Sequence, residues 1–129
     1  VHLTDFRGKV VVVMFSANWC GPCKKMYGQL RELMKLYGKD SFTVLTVMAD
    51  EKLSTVTKAV DSGEITWPVI WDGRNGPIAK RWNITSYPTI YLVGPDGHIR
   101  IFKNYIFSKK SQIYRISLQG RNPVSPHPL

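Results

Sequence analysis

Hydrophobic positions along the chain fall into two periods, one for strands and one for helices. Val10 to Ser16 begins as an unbroken, mostly β-branched apolar run behind the turn-like Arg7-Gly8-Lys9, the pattern of a strand buried on both faces. From Pro22 to about Tyr37 the period changes: Met26, Leu30, Leu33, Met34 and Tyr37 recur at helical spacing, Pro22 suits a first helical turn, and Gly38 supplies a stop. Phe42 to Ala49 predicts a second buried strand, and Leu53 to Val60 a short helix with a cap expected near Asp50 or Ser54. Ile65 to Trp71, containing Trp67-Pro68, comes next with no strand assigned to it, then a Gly73-Arg74-Asn75-Gly76 turn and a short helical stretch around Pro77 to Trp82. Thr89 to Val93 predicts a third strand, and Gly94-Pro95-Asp96-Gly97 turns the chain so that Ile99 to Phe102 returns as its antiparallel partner.

The order β-α-β-α followed by a hairpin implies an α/β protein with a mixed central sheet flanked by helices. At 129 residues the chain fits one domain with one core. We place that domain at residues 1–118, closed by a short helix over 108–118 that uses Ile113, Ile116 and Leu118. Residues 119–129 form a basic, proline-rich tail expected to be disordered.

Composition refines this picture in two ways. With 43% hydrophobic and 12% aromatic residues the chain has the makings of a globular core, and no apolar run approaches the roughly 20 residues that span a bilayer. The chain opens at Val1 without a basic and apolar leader, as a processed product or an excised domain does, which says nothing about compartment. The formal net charge is +9. Residues 97–129 hold six basic residues and no acid, while the first 96 hold the other twelve against all nine acids. A solvated cationic tail is the expectation; a patch for acidic partners or anionic membrane is the alternative, and no interleaving of basic and aromatic residues points to nucleic acid.

Two cysteines, Cys20 and Cys23, cannot build a disulfide framework, so their purpose is local chemistry. Thiol–disulfide exchange needs an attacking thiolate and a second thiol close enough to resolve the mixed disulfide, and Cys-x-x-Cys supplies both. At the N-terminal end of a helix, Cys20 gains from unpaired backbone N–H groups and the helix dipole, with Lys24 and Lys25 adding positive potential. Cys20 is therefore the expected nucleophile and Cys23 the less exposed resolving thiol. A zinc site would need two further ligands, and His2, His98 and His127 have no paired ligand spacing, so no metal is expected.

The segment Trp19-Cys20-Gly21-Pro22-Cys23-Lys24 after Val-Val-Val-Met-Phe-Ser-Ala-Asn resembles the active-site segment of the thioredoxin superfamily. Asp5-Phe6-Arg7-Gly8-Lys9-Val10 in front of it, and Ser86-Tyr87-Pro88-Thr89-Ile90 followed by Gly94-Pro95-Asp96-Gly97 behind it, resemble the TlpA/ResA-like branch. The likeness covers residues 3 to 103. It implies a thioredoxin-like fold, and a cis-proline at Pro88, with Pro68 as the rival position, facing the cysteines. A substrate surface is implied at Trp19, Gly21, Pro22, Tyr87, Pro88 and Thr89. A cis-proline ahead of an exposed strand edge leaves backbone able to pair with a substrate peptide.

The resemblance further implies a monomeric protein-disulfide reductase with no cofactor beyond the Cys20–Cys23 disulfide. Its partners are protein disulfides or dithiols and an upstream thiol donor, and the Gly-Pro between the cysteines favours reduction over oxidation. It works outside the cytoplasmic membrane, periplasmic or membrane-tethered in a longer protein, with a cytoplasmic location as the alternative. Three positions depart from the pattern. Met14 and Met26 stand where proton-handling carboxylates are found in thioredoxin and in ResA-like proteins, and Gly28 stands where a helix-kinking proline is usual. Asp50, Glu51 and Glu64 are the acids that could take over the proton. The missing carboxylates keep a second reading open, a thioredoxin-fold protein-binding domain of a larger extracytoplasmic protein whose redox pair is vestigial. Trp67 and Trp71 are expected in the core.

Overall fold

The structure is a computed structural model that describes residues 1–103. The helix expected over 108–118 and the tail over 119–129 lie outside them. After a 3-10 turn at Leu3–Phe6 come β1 (Val10–Ser16), α1 (Gly21–Tyr37), β2 (Phe42–Met48), α2 (Leu53–Asp61), β3 (Val69–Trp71), α3 (Pro77–Arg81), β4 (Thr89–Val93) and β5 (Ile99–Lys103). The five strands form one sheet in the order β3-β2-β1-β4-β5. β1 runs parallel to β2 and β2 to β3, whereas β4 runs antiparallel to both β1 and β5. This is the mixed, helix-flanked sheet that the alternation of periods implies.

The centre falls to β1 because every one of its residues is buried. Val10, Val12 and Met14 pack with Met26, Tyr27 and Leu30 of α1, while Val11, Val13 and Phe15 pack on the other face with Trp82 and Ile99. Full burial of such a side chain is worth about 1.5–3 kcal/mol over exposure, so an unbroken run of them commits this strand to the middle of a two-faced core. Phe15, Trp82 and Tyr91 lock the second face, with ring centroids 5.5 Å apart for Phe15–Trp82 and 4.7 Å for Trp82–Tyr91.

Three details differ from the sequence expectations. The N-cap of α2 is Lys52, which makes no side-chain cap bond, and Ser54 lies inside the helix; Asp50 is engaged elsewhere, as described below. Val69–Trp71, in a stretch to which the sequence assigns no strand, forms β3. Pro68 has no N–H to give a ladder, and its carbonyl accepts from the Thr46 N–H at 3.2 Å as the strand begins. Trp67 is core, 4% exposed with its indole N–H donating to Thr46 Oγ1 at 3.3 Å. Trp71, expected in the core, is 43% exposed, because a three-residue edge strand has no layer to cover it; its indole N–H donates to the Asp50 carbonyl at 2.7 Å.

Strand register decides where the chemistry sits. Phe15 pairs with Thr89, and Ser16 with Met48, so the C-terminal ends of β1 and β2 and the start of β4 share one edge of the sheet. The Trp19–Cys23 segment and Pro88 therefore meet, although Cys23 and Pro88 are 65 positions apart in the chain.

Candidate active site

Beyond Ser16 the chain makes a tight loop in which the Cys20 N–H donates to the Ala17 carbonyl at 3.1 Å. Cys20 is the N-cap of α1, in extended backbone conformation, and its carbonyl accepts from the Lys24 N–H at 3.2 Å. Its Sγ accepts from the Cys23 N–H at 3.2 Å. A sulfur in the N-cap position takes the place of the hydroxyl or carboxylate oxygen that usually satisfies these amides, so negative charge on Cys20 is met by α1 itself. Cys20 and Cys23 are joined by a disulfide, with Cα atoms 5.3 Å apart. Cys20 is 5% exposed and Cys23 is fully buried.

Around this pair the structure gathers the other residues singled out from the sequence. The Tyr87–Pro88 peptide bond is cis, the geometry that the resemblance implies, and among the described residues Pro68 does not share it. Tyr87 meets Trp19 edge to face, centroids 5.5 Å apart, and Trp19 is 65% exposed beside the disulfide. Gly21 and Pro22 are exposed on the first turn of α1. Pro88 and Thr89 are buried, and the Thr89 hydroxyl donates to the Ser86 carbonyl at 2.7 Å, closing the loop in front of β4. An open cleft of about 380 Å³ lies between Trp19 and Tyr87, with Ala49, Glu51, Arg74 and Asn75 on its other walls.

The acids named from the sequence take three different positions. Asp50, at the end of β2, is 3% exposed, and its two carboxylate oxygens lie 2.9 and 3.0 Å from the Asn18 N–H that they accept. Burial pushes its carboxyl above the ordinary value, against the Asn18 amide and the charge of Lys24. Glu51 is exposed at the cleft. Glu64 is half-buried and faces Lys24 at 3.4 Å, so the positive potential expected from Lys24 is partly tied up in an ion pair. Met14 and Met26 are both buried, at 0% and 7% exposure, and bring no proton acceptor.

One member of the site has no forerunner in the sequence reading. Tyr27, one helical turn after Cys23, is 1% exposed, and its hydroxyl pairs with Ser16 Oγ at 2.6 Å, with Met48 Sδ at 3.9 Å. Burial raises its pKa despite the Ser16 hydrogen bond. The signal was available: a tyrosine four residues after a helix-borne cysteine lies under it on the same face. Among the described residues no group of three or more His, Cys, Asp or Glu side chains could hold a metal ion.

Residues 1–102 match the model of the AhpC/TSA family. The thiol-disulfide oxidoreductase ResA of Geobacillus kaustophilus is 30% identical over 77% of this chain and 56% of its own length. That of Oceanobacillus iheyensis is 32% identical over 77% of this chain and 51% of its own length. The chain thus spans about half the length of the curated relatives it matches. In three dimensions it superimposes on the thioredoxin domain of a thiol-disulfide oxidoreductase from Bacteroides vulgatus, with a TM-score of 0.76 at 24% identity over 89% of this chain and 84% of that one.

Proposed function

The chain belongs to the AhpC/TSA family, and from that premise we propose that it is a thiol–disulfide oxidoreductase that reduces protein disulfides through Cys20 and Cys23. The observation that carries the proposal is the seat of Cys20 at the N-cap of α1 with the Cys23 N–H aimed at its sulfur. In the reduced chain the Cys20 thiolate attacks one sulfur of a substrate disulfide, forming a mixed disulfide and expelling the other sulfur as a thiolate that takes up a proton. Cys23, deprotonated, then attacks Cys20 Sγ. The second substrate sulfur leaves and the Cys20–Cys23 disulfide closes, two electrons having passed to the substrate. Of the three acids, Asp50 alone is buried against the motif loop, which supports it as the acceptor of the Cys23 proton.

The same reading places Trp19, Tyr87 and the backbone around Pro88 against the substrate, an upstream dithiol as the electron donor, and the protein outside the cytoplasmic membrane of a bacterium. No helix among the described residues is long and apolar enough to cross a membrane. Equilibration with defined thiol buffers, followed by tryptophan fluorescence, tests the direction. A reduction potential near or below about −270 mV supports a reductant, and one near about −120 mV marks a disulfide donor instead. The apolar environment supplied by Met14 and Met26 favours the second reading, a binding domain with a dormant redox pair; turnover of a protein disulfide at a thioredoxin-like rate dismisses it.

A further inference from the structure

The cleft between Trp19 and Tyr87 does not end at the tyrosine. Asn75 and Tyr87 are shared with a second open hollow of about 380 Å³, which Ala79 and Lys80 of α3 and the loop residues Asn83 and Thr85 enclose. The two hollows meet at Asn75 and Tyr87 and together run from Trp19, the neighbour of Cys20 in the chain, to Lys80 on α3. Their charges are not evenly placed. Glu51 and Arg74, the latter on the β3–α3 turn, both line the first hollow, and Lys80 lines the second, where no acid lines the wall. Arg74 and Lys80 are both exposed, and neither side chain has an ion-pair or hydrogen-bond partner among the described residues. Asp72, which bears on Tyr87, is committed elsewhere: its two oxygens accept from the Ile78 and Ala79 N–H groups at 3.0 and 2.9 Å.

We propose that this groove docks an extended substrate polypeptide whose residues on the side away from the reactive cysteine are acidic, held by Arg74 and Lys80 while an apolar residue rests on Trp19 and Tyr87. The inference rests on the thiol–disulfide reading of Cys20 and names the substrate class for that site. Complementary charge at the rim of a groove selects partners and speeds encounter more than it adds affinity, and it weakens with salt.

The test uses two disulfide-bonded peptides of equal length, one carrying Asp and Glu distal to its cysteine and one carrying Lys, with lipoamide as a small disulfide. The acidic peptide is expected to have a kcat/KM on the order of threefold to tenfold above that of the lysine peptide, the size of two exposed ion pairs. That ratio is expected to shrink with added salt and to reverse in the double variant Arg74→Glu, Lys80→Glu. Equal kcat/KM for the two peptides, with lipoamide reduced normally, overturns the docking inference and leaves the reductase standing. If lipoamide is not reduced, the reductase reading fails. A cysteine-free acidic peptide titrated against tryptophan fluorescence then decides the groove alone, binding the wild-type chain more tightly than the double variant if the inference holds and equally if it does not.

Discussion

Cys23 donates its backbone N–H to the sulfur of Cys20 at 3.2 Å, so the residue that resolves a mixed disulfide also supplies the amide that steadies the attacking sulfur. The pair is unequal in access: Cys20 retains 5% exposure and Cys23 none. In the reduced chain iodoacetamide is therefore expected to label Cys20 first, with Cys23 modified only on unfolding. Cys23→Ser keeps the attacking thiol and loses the resolving one, and it is expected to accumulate a mixed disulfide with substrate; mass spectrometry of the trapped species checks both statements. Equal labelling of the two cysteines contradicts the assignment of roles.

Tyr27 and Ser16 join α1 to β1 beneath the cysteines through one buried hydrogen bond of 2.6 Å. Tyr27→Phe leaves the Ser16 hydroxyl buried with its partner gone, at a cost of about 1–3 kcal/mol, and Ser16→Ala leaves the Tyr27 hydroxyl with only the weak Met48 Sδ contact at 3.9 Å. Removing both groups is expected to cost less than the sum of the single changes, since no orphan remains. Urea unfolding of the two single variants and the double variant measures this, and strict additivity contradicts it.

Asp50 gives a pH dependence of stability with a definite sign. Burial raises its carboxyl above the ordinary value, so the folded chain binds that proton more tightly than the unfolded one does. Its favourable contribution is complete below the unfolded value of about 4 and is lost as pH rises through the folded value. Asn at this position keeps one oxygen for the Asn18 N–H and cannot titrate. The destabilisation caused by Asp50→Asn is thus expected to be larger at mildly acidic pH than near neutrality, in urea melts at both. A penalty that grows with pH is the opposite result.

The centre of the sheet was legible in the sequence because β1 is a run of residues that has no stable place except between two layers, and α1 because it carries a proline in its first turn and stops at a glycine. The redox pair was legible for a similar reason: Cys-x-x-Cys at a strand-to-helix junction leaves the sulfurs little else to do. Tyr27 was hidden, since a tyrosine in an apolar helical face reads as packing until its hydroxyl is seen against Ser16 from another element. Trp71 misled because hydrophobicity does not say which strand is an edge; only the order β3-β2-β1-β4-β5 does. Asp50 looked like a helix cap by sequence spacing, and the register of β2 against β1 turned it instead onto Asn18. The groove past Tyr87 joins the β3–α3 turn to the cis-proline loop, a contact between segments that no local pattern announces.

The most direct test of the central claim is reduction of insulin disulfides by dithiothreitol in the presence of the wild-type chain and of Cys20→Ser, followed as turbidity. The account predicts marked acceleration by the wild-type chain and none by Cys20→Ser, whose fold, judged by circular dichroism, stays intact. A Cys20→Ser variant as active as the wild type, or a wild-type chain that leaves the uncatalysed rate unchanged, contradicts it.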